Sequence, residues 1–210
     1  MDMYVSEEER VEALKRWWKE NRNSLLIGLL LGLLVVSGWR YWQAQQQAQH
    51  EEASLIFHRL SEAALIRQPL EAQKLAERLI EGYGSTTYAE FARLSLAKFK
   101  VVSGDLEAAK LRLEEELRLG KNEALKDLAR LRLARVLLAR GEYAQGLELL
   151  GQSKGESSQF DGLLQEVRGD LLRGEKRLEE ARAAYLAAKE KENRSPLLDL
   201  KIHDLPPAHR

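Results

Sequence analysis

The sequence predicts an all-α protein: a single N-terminal transmembrane helix followed by a solenoid of helix pairs. Three observations carry that reading. Residues 25–36 read LLIGLLLGLLVV, and no charge stands between Arg22 and Arg40. After residue 43, leucine, alanine, arginine and glutamate dominate, apolar residues recur at three- and four-residue intervals, and no run alternates as a strand would. A glycine-centred turn at Gly104 then returns at Gly141, 37 residues on, and again in looser form near Lys176.

The apolar block sets the location of everything after it. At ~1.5 Å of rise per residue, a helix over residues 23–42 spans roughly 30 Å, about the thickness of a bilayer's hydrocarbon core. A cleaved secretory signal is the rival, and three features oppose it. Trp39, Tyr41 and Trp42 crowd the C-terminal end, where interfacial aromatics hold a helix at headgroup depth. Val36-Ser37-Gly38 is the best signal-peptidase site, and it would be cut directly against Trp39. The preceding segment is also long for a signal's charged region. An intact anchor in the lipid bilayer is therefore expected.

Flanking charges set its direction. Arg10, Lys15, Arg16, Lys19 and Arg22 precede the block, and Arg40 alone stands immediately after it. Lys and Arg stay on the cytoplasmic side, so the N-terminus is expected inside and the bulk of the chain outside, in the periplasm of a Gram-negative cell. Residues 1–22 then form a cytoplasmic segment with an acidic tip at Glu7-Glu8-Glu9. Val11, Leu14, Trp17 and Trp18 either lie on the inner membrane surface as an amphipathic helix or extend the anchor helix. Within the block, Ser24, Gly28 and Gly32 recur every four residues, a spacing that lets a partner helix approach closely, although glycine is common in membrane helices anyway.

Residues 43–194 form the soluble domain, with 195–210 as a cap and tail. Its size suffices for one sizeable core. The whole chain carries 33 basic and 33 acidic residues, so nothing announces a nucleic-acid partner. Cysteine is absent, which removes disulfides and thiolate chemistry. Breaks at Gln68-Pro69, Gly82–Thr86, Ser103-Gly104, Gly120–Asn122, Gly141, Gly151–Ser158 and Ser195-Pro196 punctuate the helices. QAQQQAQ continues the anchor helix outward before the first amphipathic face. A helix pair near 50–67 and 70–81 reads as an N-terminal repeat, with Pro69 tolerated at its second start.

The periodic turn defines the solenoid. Ser103-Gly104-Asp105-Leu106-Glu107-Ala108-Ala109 returns as Arg140-Gly141-Glu142-Tyr143-Ala144-Gln145-Gly146, and then as Lys176-Arg177-Leu178-Glu179-Glu180-Ala181. A period near 34 with a small residue after each turn is the mark of tetratricopeptide (TPR) repeats. Ala109, Gly146 and Ala181 let the second helix cross close to the first. Gly104 and Gly141 supply the left-handed residue that ends it. Ala97, Ala134 and Gly169 take the complementary position on the first helix, and Leu113, Leu150 and Tyr185 downstream provide the bulky packing residue. Lys176 departs from the pattern, because no glycine stands there. LLDLKIHDL after Pro196 is short and amphipathic, able to seal the last repeat, and Pro206–Arg210 is expected to fray.

Taken together, VEALKRWWKENRNSLLIGLLLGLLVVSGWRYWQ, a small TPR domain containing LRLARVLLARGEY, and a closing LKI tail resemble the YfgM family over essentially the whole chain. The resemblance implies an ancillary subunit of the Sec translocon: a single-pass inner-membrane protein with its TPR domain in the periplasm. It further implies association with the SecYEG channel and with the periplasmic chaperone PpiD, and a role in receiving or handing over nascent exported proteins. A generic cell-envelope scaffold for another assembly machine is the alternative.

Catalysis finds no support in the residues. His50, His58, His203 and His209 show no metal-pair spacing, and His58 near Glu62 reads as a surface contact. Nucleophile elbows and phosphate loops are absent. Glu114-Glu115-Glu116 and Glu179-Glu180 are expected on solvated faces. No enzyme activity and no cofactor are expected. A concave partner groove is expected instead, lined by Lys98, Arg135 and Asp170, with Leu94 and Leu131 one turn earlier.

Overall fold

In the computed structural model, residues 7–152, 160–191 and 195–206 are described. Residues 1–6, 153–159, 192–194 and 207–210, the last including most of the tail expected to fray, lie outside the described residues. The chain divides into two compact units, Met1–Gln49 and His50–Arg210.

The first unit is helix α1, Glu7–Leu65, as far as Gln49. The helix is unbroken from Glu7 through the apolar block, so Trp17 and Trp18 sit on an extension of the anchor helix. Among the described residues this is the one helix long and apolar enough to cross a membrane by length and composition. Leu26, Ile27, Leu29 to Leu31, and Leu33 to Val36 are all exposed, so no protein core accounts for their apolarity. Trp39 and Trp42 lie side by side, with ring centroids 5.4 Å apart.

The second unit packs sequential helices, and its first buried residue is Ala53. The last turns of α1 bring Ala53, Ile56 and Leu60 against Ala76 and Leu79 of α2 (Pro69–Gly82) and against Ala92 and Leu96 of α3 (Thr87–Val102). Pro69 opens α2, where its missing N–H costs no hydrogen bond. α4 (Leu106–Leu119) and α5 (Glu123–Arg140) continue the stack, joining α3 through Leu94, Ala97, Ala109, Leu113, Leu133 and Val136. α6 (Tyr143–Gly151) and α7 (Asp161–Gly174) follow, then α8 (Leu178–Glu190) and the short α9 (Leu198–His203). Leu198 and Leu205 pack on Ala181, Ala184 and Tyr185, covering the last apolar face. Each core cluster joins neighbouring elements, the one-dimensional packing of a repeat array.

Local chemistry explains the boundaries. Thr86, Asp105 and Asn122 cap α3, α4 and α5 by accepting from backbone N–H groups of the first turn. The three repeat turns share one geometry. Gly104 at φ 80° and Gly141 at φ 74° are left-handed. The following N–H, of Asp105 or Glu142, donates to Lys100 or Leu137 at 2.9 Å. The third turn keeps this form without glycine: Lys176 takes φ 63°, and Arg177 N–H donates to Leu172 at 2.9 Å. A left-handed L-residue costs roughly 1–2 kcal/mol, and the flexibility of glycine returns about 0.5–1 of that. Lys176→Gly is therefore expected to stabilise the domain by up to about 1 kcal/mol, read as a higher urea midpoint by circular dichroism. An unchanged or lower midpoint would count against strain at Lys176.

Close approaches fall where small residues recur. A Cβ at Gly169 would meet the Tyr185 ring at 2.3 Å, and one at Gly146 would meet Leu171 at 2.7 Å. Ala109, Ala181, Ala97 and Ala134 are buried in the corresponding seams.

Candidate functional site

The second unit holds an apolar crevice of about 260 Å³. It forms where the first helices of successive pairs meet. α3 contributes Lys98, Val101 and Val102 from its last turns, and α4 contributes Leu106 and Leu113. α5 supplies Arg132 and Arg135, one helical turn apart, together with Val136 and Ala139. Val101 is 43% exposed and Val102 79% exposed, an unusual outlay of β-branched apolar surface at a helix end.

Charge around this crevice is one-sided. Arg132 is half-buried and donates Nη1 to the Leu94 carbonyl at 3.2 Å. Its burial, and then the neighbouring Arg135 charge, hold its guanidinium below the usual arginine range. Among the described residues no carboxylate pairs with Lys98, Arg132 or Arg135. Nearby bases are paired. Lys100 faces Asp105 at 3.7 Å, Lys110 meets Glu142 at 2.7 Å, and Arg140 contacts both Glu107 and Glu142. Hydrogen bonds from Lys110 and Arg140 hold the Glu142 carboxyl below its ordinary range. The Lys110–Glu142 and Arg140–Glu107 contacts tie α4 to the turn between α5 and α6.

Lys98 and Arg135 thus stand together and exposed at one rim, whereas three other expected groove residues lie elsewhere. Leu94 and Leu131 are buried in the inter-helix core, because residues one turn earlier on α3 and α5 face the adjoining helices and not the opening. Asp170 accepts from the Tyr185 hydroxyl and from Lys201 Nζ, at 2.8 and 2.7 Å. α9 lays Lys201 across α7, where Lys201 also bonds Glu166 at 2.7 Å, and this occupies the third equivalent position. Arg132, Val101 and Val102 were missed by sequence reasoning. The signal was available: Arg132 precedes Arg135 by one turn, and Val-Val stands just before a helix-ending turn.

A second polar group is internal. Arg93 Nε donates to Glu116 Oε2 at 2.6 Å, with side chains 3% and 0% exposed. Glu90, also buried, accepts the N–H groups of Lys121 and Asn122 at 3.1 and 3.2 Å, pinning the turn between α4 and α5. Glu116 therefore departs from the solvated face expected for it, although Glu114 beside it is exposed. The i, i+3 step from Leu113 places Glu116 on the inward side. This cluster serves the fold.

On the membrane unit, Gly28 and Gly32 share an exposed face of α1 with Ser24, and a Cβ at either glycine would meet open space. Nothing among the described residues requires glycine there.

A helical repeat array of TPR type behind a single apolar N-terminal helix defines the class: a membrane-anchored tetratricopeptide-repeat-like protein. The family described as tetratricopeptide repeat-like domain matches residues 15–207. An ancillary SecYEG translocon subunit of Haemophilus influenzae is 32% identical over 183 residues, covering 84% of this chain and 89% of that protein. The like-named Escherichia coli protein is 31% identical over 208 residues, covering 98% and 99%. The chain belongs to this family, the YfgM family of ancillary SecYEG translocon subunits. Among solved structures, MamA 41-end from Desulfovibrio magneticus RS-1 superposes with a TM-score of 0.59 at 17% identity, covering 71% of this chain and 81% of that one. A MamA double mutant gives 0.60 with 71% and 80% covered. At such identity the likeness is one of fold.

Proposed function

We propose that this chain is a non-enzymatic accessory subunit of the Sec translocon in the bacterial inner membrane. α1 spans the bilayer once, with the N-terminus cytoplasmic and the repeat domain periplasmic. The single observation that carries the reading is family likeness along nearly the entire chain, span and repeats together. Orientation is supported by the excess of Lys and Arg before the apolar block. Trp39, Tyr41 and Trp42 would anchor the outer interface, and the face of Ser24, Gly28 and Gly32 would pack against a membrane partner. The repeat domain would bind a PpiD-like chaperone and exported chains, linking the channel to the proteins that leave it.

Site-specific photocrosslinking in living cells tests this. Probes at Gly28 and Gly32 are expected to yield adducts with channel subunits. Probes at Lys98 and Arg135 are expected to yield adducts with a periplasmic chaperone or emerging chains. Adducts to an unrelated envelope complex, with the channel absent, would overturn the translocon role.

A further inference from the structure

The crevice carries more information than a generic groove. It combines bare apolar surface at Val101 and Val102 with three cations that no carboxylate neutralises among the described residues. Charges in the same region are otherwise matched, Lys100, Lys110 and Arg140 each facing an acid. Arg132 and Arg135 repel one another across one helical turn, and Arg132 is half-buried. Holding like charges beside a desolvated wall costs stability, and the one hydrogen bond from Arg132 to the Leu94 carbonyl neutralises neither charge. An external anion would remove that repulsion.

The volume narrows the class of ligand. Small-molecule sites occupy about 300–1,000 Å³, and this crevice at about 260 Å³ falls below that range. It suits a single bulky side chain, with the rest of the ligand lying across the rim. Deepening the interaction role proposed above, and resting on it, we propose that the α3–α5 crevice binds a peptide segment bearing a large apolar side chain beside a carboxylate. The apolar group enters between Val102 and Val136, and Lys98, Arg132 and Arg135 hold the acid. Arg132 can keep its bond to the Leu94 carbonyl and still offer its remaining N–H groups. Selectivity then follows from charge more than from sequence, which fits a surface meeting many chains.

The test uses the full chain in nanodiscs of zwitterionic lipid. Fluorescence anisotropy compares a labelled extended peptide carrying leucine between two glutamates with its glutamine isostere and with its serine-for-leucine form. The acidic leucine peptide is expected to bind about tenfold tighter than either control, and more weakly as salt rises. Lys98→Glu with Arg135→Glu is expected to abolish the preference for acid, and Val102→Asp the preference for leucine. Thermal midpoints of the unliganded variants report folding, and charge removal by Arg132→Gln is expected to leave that midpoint unchanged or raised. Equal binding of the three peptides, survival of the preference in the charge-reversed protein, or capture of this face by anionic phosphatidylglycerol vesicles alone would overturn the proposal. Loss of acid selectivity with channel crosslinks intact sinks this inference and spares the translocon role. The opposite pattern does the reverse.

Discussion

Arg93→Met is expected to destabilise the repeat domain by about 3–5 kcal/mol, the scale on which stripping one partner from a buried ion pair leaves a bare charge inside. Glu116 is fully buried, and one of its oxygens has no hydrogen-bond partner. Burial already pushes its carboxyl above the ordinary 4.5, with Arg93 pulling the other way and Glu90 adding to the rise. Removing Arg93 removes the pull. An acid whose folded pKa is raised binds its proton more tightly when folded. Its stabilising contribution is therefore complete below the unfolded value and is lost as pH rises through the folded one. The deficit of Arg93→Met should accordingly be largest near neutral pH and shrink towards pH 4.5, the ordinary carboxyl value. Adding Glu116→Gln should recover much of the loss at neutral pH. Urea unfolding of the full chain in micelles at several pH values, followed by circular dichroism, measures this. All four tryptophans lie in residues 17–42, so their fluorescence would report the anchor and not the domain. A deficit independent of pH would refute the assignment of a buried charge.

Gly169→Ala is expected to cost about 3 kcal/mol, at the upper end for overpacking a core. The added methyl would sit 2.3 Å and 2.4 Å from ring carbons of Tyr185. That ring cannot retreat easily. It is fully buried, and its hydroxyl donates to Asp170 at 2.8 Å while Lys201 closes the other side of the carboxylate. Burial and that carboxylate together drive the phenol far above its ordinary range, so Tyr185 remains a donor at any working pH. Tyr185→Leu in the Gly169→Ala background should restore part of the loss, giving a coupling energy of about 1 kcal/mol or more in a double-mutant cycle. Strict additivity of the two changes would show that the ring and the glycine do not share one space.

These two sites also mark how far the residues can be read unaided. Gly169 and Tyr185 were each legible as repeat positions, the one matching Ala97 and Ala134 and the other Leu113 and Leu150, and the structure brings the two together. The role of Glu116 was not. In the run Glu114-Glu115-Glu116 the three carboxylates are chemically alike, and the third turns inward where Arg93 of another helix waits. Asp170 was misplaced for a related reason. Its repeat position equals that of Lys98 and Arg135, and only the folding back of α9 brings Lys201 onto it. Arg132 lay within reach of helical spacing, yet its lack of an acid partner among the described residues is a fact about three helices at once.

The sequence by itself determined the apolar helix near the start, the helix-pair period, the left-handed turns and the small-residue seams. Each of these is settled within one turn or one repeat, by backbone conformation and side-chain size. The tertiary structure alone decided which charges are buried, which are paired and which are left exposed. Burial and pairing depend on what a neighbouring helix covers, and no spacing along one chain segment encodes that.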